Sequence, residues 1–134
     1  MNGKIVHVNP DGLMKSSSFS QVVTTRGSGT TIYIGGQNSI NSNGKVIGKG
    51  DIHAQTAQVM YNIQTALIAC GASFDHVVKL TIYIVEGQDA STAFQASQQV
   101  VNFSFPPSIT TLIVSGLGKP DYLIEIDAVA FLPE

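Results

Sequence analysis

Two carboxylates close to the C-terminal end carry the most chemical promise. Glu125 and Asp127 stand two residues apart in the run Leu123-Ile124-Glu125-Ile126-Asp127-Ala128-Val129-Ala130, and strand alternation puts both on one face. A carboxylate there can position or deprotonate water, or it can be a structural group hydrogen-bonded to a neighbouring loop; both readings stand for Glu125. Asp127 reads as structural or solvated. The pair could attract a divalent cation, but no histidine or third carboxylate accompanies it in sequence, so no metal site is expected. His7, His53 and His76 fall on different elements without ligand spacing. Thr110-Thr111 could offer a hydroxyl to a ligand or be ordinary β-branched strand sequence. Cys70 is the only cysteine. A reactive thiolate wants a cationic neighbour or a helix N-terminus, and Cys70 sits at a helix C-terminus, so it reads as a small core residue.

These groups need a scaffold, and the stretch Asp51 to Val85 sets its plan. Asp51 can cap a helix, its carboxylate accepting from free N–H groups of the first turn, with Ala54 and Gln55 helix-compatible behind it. Ile52, Val59, Ile63, Leu67 and Cys70 recur at helical spacings and form one apolar face, and Gly71 stops the helix. In Val77 to Val85, Leu80, Ile82 and Ile84 alternate with Thr81, Tyr83 and Val85, so both faces are mostly apolar. A strand apolar on two sides beside an amphipathic helix predicts a layered α/β or α+β domain. A second apolar surface beyond the sheet predicts a partner, in the first place another copy of the chain.

The flanking sequence fits that plan. Lys4 to Val8 reads as a short strand closed by Asn9-Pro10. Phe19 to Thr25 and Thr31 to Ile34 read as strands joined by a hairpin turn at Arg26 to Gly29. Asn38 to Gly50, rich in Asn, Ser and Gly, reads as an exposed connection. Asp89 to Val101 reads as a second helix carrying Phe94, Val100 and Val101. Phe105-Pro106-Pro107 then forces an extended approach to a strand at Ser108 to Val114, and Tyr122 to Leu132 is the last strand.

With 134 residues, 43% of them hydrophobic, the chain reads as one domain spanning 1–134 that needs no metal or disulfide staple. A net charge of −2, with 12% charged residues and Arg26 as the single arginine, argues against nucleic acid as a partner. Neutralising even about six phosphates needs a basic surface that this composition lacks. No signal-like or membrane-length apolar segment occurs, so the expected location is the cytoplasm, with no membrane partner.

Several stretches, in order and spacing, resemble the reactive intermediate deaminase (Rid, or YjgF-like) superfamily. They are Ile32 to Gln37 (IYIGGQ), Gln55 to Gly71 with Asn62-Ile63 and a closing Ala-Cys-Gly, Val78 to Ile84 (VKLTIYI), Phe105 to Thr111, and Leu123 to Ala130 (LIEIDAVA). The resemblance implies an α+β fold, a chorismate-mutase-like mixed sheet with two helices on one face. It also implies a homotrimer with small-molecule clefts between neighbouring subunits, and no cofactor. In the deaminases of the superfamily, water releases ammonia from an enamine or imine. A strand arginine clamps the substrate carboxylate and a glutamate positions or activates the water.

Carried over residue by residue, the glutamate is Glu125. The arginine is missing: Ile109 falls at its place, and Thr111 falls where the deaminases often have cysteine. Phe19 takes the place of an early aromatic residue lining the cleft, and Gly35 and Gly36 match the backbone segment that approaches the ligand. Phe94 takes the approximate place of a polar residue on the second helix. A guanidinium–carboxylate contact in a partly desolvated site is worth roughly 1.5 to 3 kcal/mol, or about 10- to 100-fold in affinity. The expected ligand is therefore a small imine, enamine or carbonyl metabolite other than a typical amino-acid-derived 2-imino acid. Glu125 would act on water, and Phe19, Gly35, Gly36, Phe94, Ile109 and Thr111 would shape the cleft. The alternative is a non-catalytic small-molecule-binding or interaction protein on the same fold.

Overall fold

The computed structural model describes residues 1–134. Its core is a four-stranded sheet built from β3 (Gly29–Gln37), β4 (Val77–Val85), β5 (Ser108–Val114) and β6 (Ile124–Pro133), in the order β3-β6-β4-β5. β6 runs antiparallel to both of its neighbours, whereas β4 and β5 are parallel. A parallel pair needs a crossover, and helix α2 (Ala90–Val100) provides it. The longer helix α1 (Ile52–Ala69) lies across β3 and β6 with α2 alongside it, so both helices cover the same face. This is a mixed sheet with two helices on one face, an α+β fold.

The periodicity of α1 explains its seat. Ile52, Val59, Ile63 and Leu67 are buried against Ile32, Ile34, Ile124, Ile126, Ala128 and Ala130 of the sheet, each large side chain contributing roughly 1.5 to 3 kcal/mol. Asp51 caps the helix, its carboxylate accepting from the Ala54 N–H at 3.1 Å. At the other end Ala72 N donates to Leu67 O and Gly71 N to Ile68 O, with Gly71 at φ +76°. That is a Schellman closure, and it turns the capping residue Cys70 outward. Cys70 is exposed, which corrects its reading as a core residue. Gln55 falls on the buried stripe instead, four residues before Val59, and is fully buried. Its amide nitrogen donates to the carbonyls of Gly48 at 3.1 Å and Asp121 at 2.9 Å, while its oxygen accepts from Leu123 N at 3.0 Å. One side chain thereby fastens the approach to β6 onto the first turns of α1.

The expected hairpin at Arg26 to Gly29 does not form. β2 (Val22–Arg26) pairs with β1 (Lys4–Val8) in a separate antiparallel ribbon, and β3 pairs with β6. Gly27, at φ +78°, turns the chain from one sheet to the other. Ser28 N donates to Met1 O and Glu134 N donates to Ser28 O, both at 3.0 Å, which sews the corner to both chain ends. Ile32 and Ile34 are buried only when β3 faces Ala130 and Ala128 of β6, and that distant pairing outweighs the local turn.

The connection Asn38 to Gly50 is more folded than its composition suggests. Ser39 is buried and donates through Oγ to Ile47 O at 2.6 Å, and Ile40 and Val46 form a bridge.

Candidate functional site

Glu125 lies on β6 between Ile124 and Ile126, two buried residues that point at the helices. Alternation sends the Glu125 side chain to the opposite, helix-free face, where its cross-strand partner on β4 is Tyr83. On the other flank, β3 carries one extra residue between Ile34, opposite Ala128, and Gln37, opposite Ile126. Gly35 and Gly36 occupy that bulge. The Glu125 carboxylate rests directly over Gly36, leaving no room for a Cβ there, whereas the space above Gly35 is open.

Loop and helix fix the carboxylate in turn. Asn38 donates through its amide to Glu125 Oε1 at 3.2 Å. The Asn38 carbonyl accepts from the Asn62 amide on α1 at 3.1 Å, which also donates to Ile40 O at 2.9 Å. Gln58 Nε2 donates to Asn62 Oδ1 at 2.8 Å. A chain of amides thus runs from the helix through the loop to one oxygen of Glu125 and leaves the second oxygen over Gly36.

Asp127 belongs to the same face. It accepts from Tyr83 Oη at 3.3 Å. The charge of Asp127 first, then loss of solvent, that hydrogen bond and the charge of Glu125 all raise the pKa of Tyr83 above its ordinary value. Tyr83 is therefore a proton donor on this face throughout the neutral range. Lys79 Nζ donates to Thr110 Oγ1 further along. Tyr33 and Leu112 stand exposed on the same face, at 80% and 43% of their full accessibility.

The other candidates lie elsewhere. Ile109 and Thr111 pair with Leu80 and Ile82 of β4, so their side chains share the helix-covered face. Phe94 leans over them from α2 and lines the cavities that Ile109 and Thr111 also line. Phe19 is half-buried ahead of β2; the next residue, Ser20, donates its N–H to Pro107 O at 2.9 Å, anchoring this segment to the start of β5. Within one chain the sheet separates two groups. Glu125, Gly35 and Gly36 stand on its bare side, and Phe94, Ile109 and Thr111 on its covered side, with Phe19 attached near the latter.

Sequence reasoning missed Asn38 and the tasks of Asn62 and Tyr83. Asn62 carried a visible signal, an amide one residue before the buried Ile63 in the middle of a helix, where an amide needs partners. His7 is engaged rather than free: its Nδ1 lies 3.1 Å from both Ser20 Oγ and Pro106 O, and its ring stacks on Phe105. No three His, Cys, Asp or Glu side chains converge on a common point. No helix is long and apolar enough to cross a membrane.

The helix-backed mixed sheet and the carboxylate held on its bare face define an α+β protein of the Rid type. The family model described as Endoribonuclease L-PSP matches residues 11–132, and the chain belongs to that family, the YjgF/Rid family. A RutC family protein of Pyrococcus horikoshii is 37% identical over 103 residues, covering 77% of this chain and 80% of the relative. The crystal structure of the Rid family protein YyfB from Yersinia pestis superposes with a TM-score of 0.84 at 34% identity, covering 98% of this chain and 100% of that one. RidA from the Antarctic bacterium Psychrobacter shares the fold, with a TM-score of 0.69 at 23% identity over 89% of this chain and 92% of that one.

Proposed function

We propose that residues 1–134 form a single unit that assembles as a homotrimer, whose intersubunit clefts bind and hydrolyse a small imine, enamine or carbonyl metabolite. The observation that carries this reading is the held carboxylate: Asn38 fixes one oxygen of Glu125 and the other is free over Gly36. Assembly is supported by the bare sheet face with its exposed Tyr33 and Leu112, because an uncovered sheet face of this kind is most stable against another copy. It would also give a ligand access to both groups of residues, which the sheet keeps apart within one chain.

In the proposed reaction the free oxygen of Glu125 accepts a proton from water as the water oxygen bonds to the imine carbon. Glu125 passes that proton to the imine nitrogen, giving a neutral carbinolamine; as the C–N bond breaks, Glu125 carries the hydroxyl proton to the nitrogen, leaving a carbonyl and ammonia. An enamine first takes a proton on its β-carbon and releases one from its nitrogen, becoming the imine. Ile109 beside Phe94 offers an apolar wall where the deaminases clamp a carboxylate, which favours substrates without one. The endoribonuclease of the family description fits this chain least, since seven basic residues against nine acidic ones make no phosphate-binding surface.

The test is ammonia release from imines generated in place by an amine or amino-acid oxidase, comparing wild type with Ile109→Arg and Glu125→Ala. Turnover of uncharged imines that is lost in Glu125→Ala, with a gain on 2-imino acids in Ile109→Arg, is the expected result. Unchanged turnover in Glu125→Ala removes the assignment. Binding without turnover of any imine moves the chain to the non-catalytic reading.

A further inference from the structure

Three stretches of chain meet at a pocket that takes no residue from the Glu125 face or from the cavities that Phe94 lines. Strand β1 gives Ile5 and His7, the turn before β4 gives Asp75, and the run into β5 gives Ser104 and Phe105. The cavity volume is about 370 Å³, at the small end of the range for ligand pockets.

The hydrogen bonds of His7 fix its tautomer. Its Nδ1 lies 3.1 Å from both Pro106 O and Ser20 Oγ, and the Ser20 hydroxyl donates to the same Pro106 carbonyl. A carbonyl only accepts, and the one proton of Ser20 is directed to it, so Nδ1 must carry a hydrogen. In the neutral imidazole Nε2 then holds the lone pair, and no protein group donates to it. Asp75 lacks a donor as well: its carboxylate makes no hydrogen bond, and the two ion pairs of the chain are Lys15 with Asp11 and Lys49 with Asp121. Phe105 is 70% exposed although its ring stacks on His7, with centroids 5.7 Å apart and planes at 29°, so its second face is open. No lysine or arginine lines the pocket. It therefore presents two unsatisfied acceptors beside an open aromatic face, and only the Ser104 hydroxyl as a side-chain donor.

We infer that this pocket binds a small arylalkyl primary amine in its ammonium form. The ammonium N–H groups donate to His7 Nε2 and to the Asp75 carboxylate, and the ring of the ligand lies against Phe105 and Ile5. The negative ring face of Phe105 attracts the nearby positive charge in addition. A carboxylate ligand would meet the charge of Asp75 without finding a cation. No third His, Cys, Asp or Glu joins the pair, so a metal ion is poorly served. None of the residues assigned to imine hydrolysis takes part, and that reading can fail without touching this one.

2-Phenylethylamine tests the site when titrated, in mildly alkaline buffer, into the full chain with isotope-labelled histidine rings and isoleucine methyls. Long-range nitrogen–proton spectra should show the proton of His7 on Nδ1 before any addition. The amine should then shift His7 Nε2 and the Ile5 methyls, and leave His53 and the Ile109 methyls in place. Asp75 is exposed, so Asp75→Asn should weaken binding by only about two- to fivefold. Phe105→Ala should weaken it about two- to tenfold. Both side chains are exposed, so the fold should survive either change. 3-Phenylpropionate, close in shape and opposite in charge, should leave His7 unmoved. A proton on Nε2, no response of His7 to the amine, an equal response to 3-phenylpropionate, undiminished binding in the Asp75→Asn, Phe105→Ala double variant, or shifts at Ile109 instead of Ile5 would overturn the assignment.

Discussion

The carboxylate of Glu125 covers the α-carbon of Gly36 so closely that no side chain fits between them. The bulge on β3 and the position of the acid on β6 are thus one geometric unit. Gly36→Ala meets the far end of a flexible side chain, so it should swing Glu125 away at a cost in stability below about 1 kcal/mol. Imine turnover should fall as far as in Glu125→Ala, while Gly35→Ala, with open space above it, should keep wild-type stability. Parallel thermal melts and ammonia assays on the three variants check this.

Asn62 carries a second dependence. Asn62→Leu removes the donor to two carbonyls, Asn38 O and Ile40 O, and frees the loop that holds Glu125. Stability should drop by about 1 to 3 kcal/mol in urea titration. The backbone N–H of Ile47, which donates to Ser39 O at 2.9 Å in that loop, should lose protection from hydrogen exchange.

Gln55 is a costly polar residue to replace. In Gln55→Leu three backbone groups lose their partner: the carbonyls of Gly48 and Asp121 and the N–H of Leu123. We expect a loss of about 3 kcal/mol and a fall in Tm of roughly 10 °C by calorimetry.

Asp89 gives stability a pH dependence with a defined sign. Hydrogen bonds from the Ser91 hydroxyl and N–H, then those from Thr92, hold its carboxyl below the ordinary aspartate value. A folded-state value below the unfolded one stabilises the fold above roughly pH 4, and that stabilisation disappears as pH falls through the lowered value. Asp89→Ala should therefore lower Tm at pH 7, and the gap to wild type should narrow as pH falls below the ordinary aspartate range. A gap that stays constant over that range would assign the effect to helix propensity alone.

The parts of the fold that depend on local periodicity were legible in the sequence. Alternation on β6 put Glu125 and Asp127 on the face opposite Ile124 and Ile126, and the stripe from Ile52 to Leu67 marked the buried side of α1. What the sequence hid depends on distant partners. The turn at Arg26 to Gly29 has hairpin composition, yet β3 belongs with β6, nearly a hundred residues away in the register Tyr33 to Val129. Gln55 looked like any helix-forming residue because the three backbone groups it satisfies come from two separate loops. Asn38 lies in a stretch whose Asn, Ser and Gly content signals a solvated loop, and only the approach of α1 makes it a support for the acid.

The outward turn of Cys70 at the end of α1 gives the chain a single chemical handle, remote from Glu125 in sequence and present without mutagenesis. One nitroxide per subunit, attached there and read by pulsed dipolar spectroscopy, makes the assembly its own ruler. A threefold ring places the labels at the corners of an equilateral triangle, giving one distance together with a three-spin modulation depth. Two-spin depth at a single distance would identify a dimer, and an undamped background would identify a monomer.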